Sequence, residues 1–104
     1  MLFAISGDLT EESLRAFIEN PSDRRGPAEA HIEACGGKLH HMWQFTRGAT
    51  LLIVDAPDTT VITAIQVSLR AINRLSNVKA ERLLTTTEFQ AGVKQAQKGV
   101  EARR

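Results

Sequence analysis

The sequence predicts an α+β fold in the order β-α-β-β-α-β, within a single domain spanning its 104 residues. Three observations carry that prediction. Segments of strand length lie at Leu2–Ser6 and Thr50–Ala56, both rich in apolar residues, and at Lys38–Thr46 and Val78–Leu84, where apolar and polar residues mix. The segments between them carry apolar residues at spacings of three and four, opened by capping residues. Asn-Pro and Gly-Gly breaks punctuate the boundaries.

Leu2 to Ser6 is apolar and ends at Gly7-Asp8, which reads as a turn. Thr10 suits an N-cap, and Glu11 and Glu12 suit the positive end of the helix behind it. Leu14, Phe17 and Ile18 then follow at helical spacing. Asn20-Pro21-Ser22-Asp23 breaks that helix, and Pro27 suits the first position of a second helical piece. Ala28, Ile32 and Cys35 form its stripe, and Gly36-Gly37 supplies a left-handed cap.

On the second strand Leu39, His41, Trp43 and Phe45 alternate with Lys38, His40, Met42, Gln44 and Thr46. The odd set is the more apolar face. Arg47-Gly48-Ala49 turns the chain into the third strand, where Leu51-Leu52-Ile53-Val54 run without alternation. Such a run predicts a central strand covered on both faces. Asp58 caps a helix with a stripe of Ile62, Ile65, Leu69 and Ile72, widened by Val61 and Leu75 and closed by Ser76-Asn77. Lys79, Glu81 and Arg82 mark the last strand as an edge. Thr85 to Glu88 has the form of a capping box. It opens a helix with Phe89, Val93 and Ala96 on one side, and the tail from Gly99 is expected to fray.

Helices on one face of a four-stranded sheet leave the other face open. The doubly apolar third strand therefore predicts a homodimer through that open face.

Composition narrows the function classes. Apolar content of 42% and charged content of 24% are globular values. Thirteen basic and twelve acidic residues leave no one-sided basic face, so nucleic acid is not an expected partner. An RNA-recognition reading of this element order needs aromatics on the central strands, and the third strand has none. The N-terminal apolar run is too short for a signal or a membrane span. One cysteine, Cys35, fits a reducing compartment, so the cytoplasm is the expected location.

Several stretches, in order along the chain, resemble the GYD-domain family. They are Leu9-Thr10, Asn20-Pro21-Ser22-Asp23-Arg24, Gly36-Gly37-Lys38-Leu39, Leu52 to Asp58, and Leu84-Thr85-Thr86-Thr87-Glu88. The resemblance implies a ferredoxin-like fold assembled as a dimeric α+β barrel, to which the helix opening at Thr85 adds an extra C-terminal helix. At the turn that names the family, Gly48 aligns, but the Tyr and Asp positions hold Ala49 and Thr50. No role for those two side chains carries over.

Candidate site residues are few. His41 and Trp43 share a strand face and suit stacking on a planar ligand, with the imidazole available for proton transfer. His40 and Met42 are expected on the opposite face. Arg47 in the strand turn, and Arg24 and Arg25 in the helix break, suit an anion or a carboxylate partner. For Asp23-Arg24 a structural cap or ion pair is the simpler reading. His31, His40, His41 and Cys35 lack metal-ligand spacing, and Cys35 lies at the wrong end of a helix for an activated thiol. No phosphate loop, dinucleotide turn or nucleophile elbow is present, so no cofactor is implied. The expected function is a homodimeric small-ligand-binding or assembly module. The alternative is a cofactor-free or haem-using enzyme, by analogy with related dimeric barrels. That enzyme would hold an enclosed pocket containing His41 or Arg47.

Overall fold

The computed structural model describes residues 1–104. The elements are β1 (Leu2–Leu9), α1 (Glu11–Glu19), α2 (Arg25–Ala34), β2 (Lys38–Phe45), β3 (Ala49–Asp55), α3 (Thr59–Ala71), β4 (Leu75–Arg82) and α4 (Thr86–Ala102). The strands form one antiparallel sheet in the order β2-β3-β1-β4. This is an α+β architecture consistent with a ferredoxin-like fold.

The predicted caps hold the helices. Thr10 Oγ1 accepts from the Ser13 amide at 3.1 Å, and Asp58 Oδ1 accepts from the Val61 amide at 3.1 Å. Asp23 Oδ1 accepts from the Arg25 amide at 2.9 Å, so it caps the break between α1 and α2. At the end of α2, Gly36 has φ +97°, a conformation that costs glycine nothing. Gly37 follows where the backbone packs closely against the core. A Cβ there would stand 3.2 Å from both Ile32 Cγ2 and Val54 Cγ1.

The core lies between the sheet and α2 with α3. Phe3, Ile5, Leu52 and Val54 from the central strands meet Ile32, Ile62, Ile65 and Leu69. Several expected positions differ. Gly7-Asp8 is no turn, because β1 runs on to Leu9 past a bulge between Ser6 and Asp8. Leu14 and Ile18 point to solvent, Ile18 being 79% exposed, and only Phe17 of that trio turns inward. Ile72 is exposed, and Leu75 belongs to β4 rather than to the preceding helix. The helix ends at Ala71, and Asn73, with φ 55°, turns the chain before Ser76-Asn77. Tail residues 99–102 stay helical.

The faces of β2 depart most from expectation. Leu39 pairs with Val54 and His41 with Ile53, so His40 is the extra residue of a β-bulge. The alternation therefore changes phase. Leu39 is buried in the core at 4% exposure, but His41, Trp43 and Phe45 lie on the open face with Leu51 and Ile53. Met42 packs against the core from the helix side. His40 does not share its face. Its Nε2 lies 3.9 Å from Asp55 Oδ2, on the side where the register puts Ile53. His40 and His41 thus turn to the same side, against the expectation of opposite faces.

β3 is central, as predicted, and its inward residues Thr50, Leu52 and Val54 are buried. Its outward residues Leu51 and Ile53 are only half-buried in the single chain. α4 buries no residue at all. It accounts for an elongated molecule of 60 × 27 × 22 Å and a radius of gyration of 16.9 Å, against about 13 Å for a compact chain of this length.

Candidate functional site

Four of the residues singled out from sequence, His40, His41, Trp43 and Arg47, gather on the open face of the sheet. β2 presents His41 and Trp43 two residues apart, with ring centroids 4.8 Å apart and an interplanar angle of 6°. Phe45 comes next, and the Arg47 guanidinium lies over its ring, 4.5 Å from the centroid. Arg47 makes no ion pair. The register sets Ile53 beside His41 and Leu51 beside Trp43, then Ala4 and Ser6 of β1 beyond them. The result is a strip of aromatic and aliphatic groups on the β2-β3-β1 side. It fades into Lys79 and Glu81 on β4.

Asp55 anchors one end of this face. Its Oδ1 accepts from the N-terminal ammonium at 3.0 Å. That hydrogen bond and the ammonium charge, helped by His40 and Lys38, hold its carboxyl below the ordinary carboxylate range.

A second region was not found from sequence. On the opposite, helix-covered side, a cavity of about 250 Å³ opens between the sheet, the α1-α2 break and the C-terminal end of α3. Its floor is Leu52, Leu69 and Leu75, all buried. Phe17 and Met42 form part of its walls. Arg24, Arg74, His31, Gln44, Ser13 and Thr50 supply its polar groups. Neither His41 nor Arg47 lines it.

Local geometry explains why each polar group stands there. His31 Nε2 is 2.7 Å from Ser68 Oγ. The Ser68 hydroxyl also reaches the Ile65 carbonyl at 3.1 Å, which ties the imidazole to the backbone of α3. Thr50 Oγ1 donates to Gln44 Oε1 at 2.9 Å, which leaves the Gln44 amide nitrogen free. Arg24 stacks over Phe17, with the guanidinium carbon 4.9 Å from the ring centroid. Arg74 is placed by its backbone, whose carbonyl accepts from Ser13 Oγ at 2.9 Å.

Arg25, the neighbour of Arg24, has structural duties instead. It lies 3.5 Å from Glu29 and donates to the His40 carbonyl at 3.2 Å. The structure holds no cluster of three or more His, Cys, Asp or Glu suited to a metal ion. No helix is long and apolar enough to cross a membrane.

The signal for the second region was the parity of Met42, Gln44, Thr50 and Leu52. It becomes readable only once the bulge at His40 is known. Arg74 carries no sequence signal of its own.

No protein-family model matches the chain, and no curated protein matches it. Among solved structures, the chain is similar to an uncharacterised NIPSNAP domain protein from Burkholderia xenovorans. The two are 14% identical, with 83% of this chain and 95% of that one covered, at a TM-score of 0.49.

Proposed function

We propose that the chain is a GYD-like, non-catalytic binding module that works as a homodimer, two copies meeting through the open faces of their sheets. The observation that carries this reading is the strip of Trp43, Phe45, Leu51 and Ile53, with Trp43 54% exposed in the single chain. Apolar surface gathered on one sheet face is what an interface core looks like, and a two-fold axis lets the same patch cover itself.

Area decides what else takes part. Three strands of eight residues and one of seven make a face of about 500 Å² in flat projection. A stable interface takes about 800 Å² from each partner. The sheet strip alone falls short, and α4 supplies the difference. Phe89, Val93 and Val100 lie along one side of this helix, and all three are exposed. The helix is about 26 Å long and also contains Gly92 and Gly99, each costing about 1 kcal/mol of helix stability. A helix of this length and content is marginal in water without packing. Seating its apolar side on a second copy stabilises it.

Sedimentation equilibrium at micromolar concentration tests the proposal. The expected mass is twice the 11.4 kDa of one chain. Leu51→Lys, on the open face, is expected to give a monomer with unchanged circular dichroism from the sheet. A wild-type protein that sediments as one chain overturns the reading.

A further inference from the structure

The helix-side cavity has a chemical bias that the open face lacks. Fifteen residues line it and none is acidic, although the chain as a whole has twelve acidic residues against thirteen basic. Two of the fifteen are arginines. Arg15, Arg25 and Arg82 are in ion pairs with glutamates, but Arg24 and Arg74 are in none. Gln44 has its carbonyl occupied by Thr50 and its amide nitrogen free. The uncommitted groups of Arg24, Arg74 and Gln44 are therefore all donors, and two of them are cationic.

Eight of the fifteen lining residues are hydrophobic and mainly aliphatic, and they include one methionine that can repack around an irregular shape, while Ser13, His31 and Thr50 have their side chains hydrogen-bonded within the chain. Cationic donors and aliphatic side chains lining one cavity match an anion with an apolar body. Planar guanidinium groups match a carboxylate by two parallel hydrogen bonds. At about 250 Å³ the cavity is smaller than those that hold drug-sized molecules. A ligand of roughly ten non-hydrogen atoms fits that scale.

We infer that this cavity is a binding site for a small monocarboxylate with an aliphatic body. The carboxylate sits between Arg24 and Arg74, and the chain lies against Leu52, Leu69 and Met42. The site is complete within one chain, so it does not rest on the homodimer.

Octanoate is the probe, and octan-1-ol is its uncharged counterpart. In isothermal titration calorimetry the wild-type protein is expected to bind one octanoate per chain and to bind octan-1-ol at least tenfold more weakly. The combined substitution R24Q and R74Q is expected to remove that preference, each arginine contributing roughly tenfold. Ala28→Phe, which fills the cavity from α2, is expected to abolish binding of both probes. Octanoate is expected to shift the Met42 methyl resonance and leave the Trp43 indole resonance in place. The inference is overturned by equal binding of the two probes, by no binding of octanoate, or by undiminished preference in the double arginine variant. Octanoate that moves the Trp43 resonance and not the Met42 resonance also overturns it, since the acid then sits on the open face. Sedimentation of the L51K variant separates this result from the dimer: a monomer that still binds octanoate leaves the inference intact.

Discussion

The imidazole of His41 and the indole of Trp43 stack in parallel on the open face, with centroids 4.8 Å apart. They share a face because they stand two residues apart on β2, and the bulge at His40 makes that face the open one. A stacked aromatic pair contributes about 0.5–1.5 kcal/mol beyond the area it buries. This pair is exposed, so the lower end applies. His41→Ala is expected to lower unfolding stability by about 0.5 kcal/mol. Urea denaturation followed by the fluorescence of the single tryptophan, Trp43, measures it.

The same tryptophan reports assembly. Trp43 is largely exposed in one chain and is covered in the proposed dimer. Dilution from micromolar to nanomolar concentration is expected to shift its emission to the red. An emission maximum independent of concentration, already at the position of a solvated indole, counts against burial of this face.

Core and surface isoleucines on helices offer a direct contrast. Ile65 of α3 is fully buried, and Ile18 of α1 is 79% exposed. Ile65→Ala is expected to cost about 2–5 kcal/mol, through lost burial and the cavity left behind. Ile18→Ala is expected to stay within about 0.5 kcal/mol of the parent. Equal costs for the two substitutions are inconsistent with the packing described.

Gly36 holds φ +97° where the chain leaves α2 for β2. Gly36→Ala adds a Cβ in a conformation that disfavours it. It is expected to destabilise by about 1 kcal/mol or more, even though the nearest side-chain atom, Val61 Cγ2, is at an ordinary 3.4 Å. Thermal denaturation measures the loss. Gly92→Ala, in exposed helix with nothing within 4 Å, is expected to stabilise α4 instead.

Acid should loosen the start of α4. The Thr85 backbone amide donates to Glu88 Oε1 at 3.0 Å, and this bond is the main cause of a Glu88 carboxyl held below its ordinary range. Arg82, 2.9 Å away, adds to it. The folded carboxyl thus ionises at lower pH than the unfolded one. Its stabilising effect is complete above the ordinary carboxylate range and is lost as pH falls through its lowered value. Helical circular dichroism is expected to decrease over that interval. Glu88→Gln should remove the part of the change that belongs to this cap, and an unaltered acid transition in that variant contradicts the assignment.

Much of the architecture was legible because it is written in local chemistry. Thr10, Asp58 and Thr85 cap helices where hydroxyl or carboxylate residues precede helical spacing, and the amides they satisfy are three residues away. The aliphatic run of β3 marked it as central because burial between neighbouring strands needs no partner named in advance. Ile62, Ile65 and Leu69 were legible by their period.

The sites were less legible, for a reason of phase. Strand alternation assigns faces only while the pairing stays in step, and one extra residue, His40, reverses every assignment after it. His41 and Trp43 kept each other's company across that change but exchanged faces with Met42 and Gln44. Arg24 and Arg74 are fifty positions apart in the sequence and line one cavity only because α1 is tied to the α3-β4 turn by Ser13 and Thr10. Local sequence therefore determined the elements, their caps and their order. The tertiary structure decided the bulge, the faces and the cavity, because these depend on how strands register and on which distant chain segments share a wall.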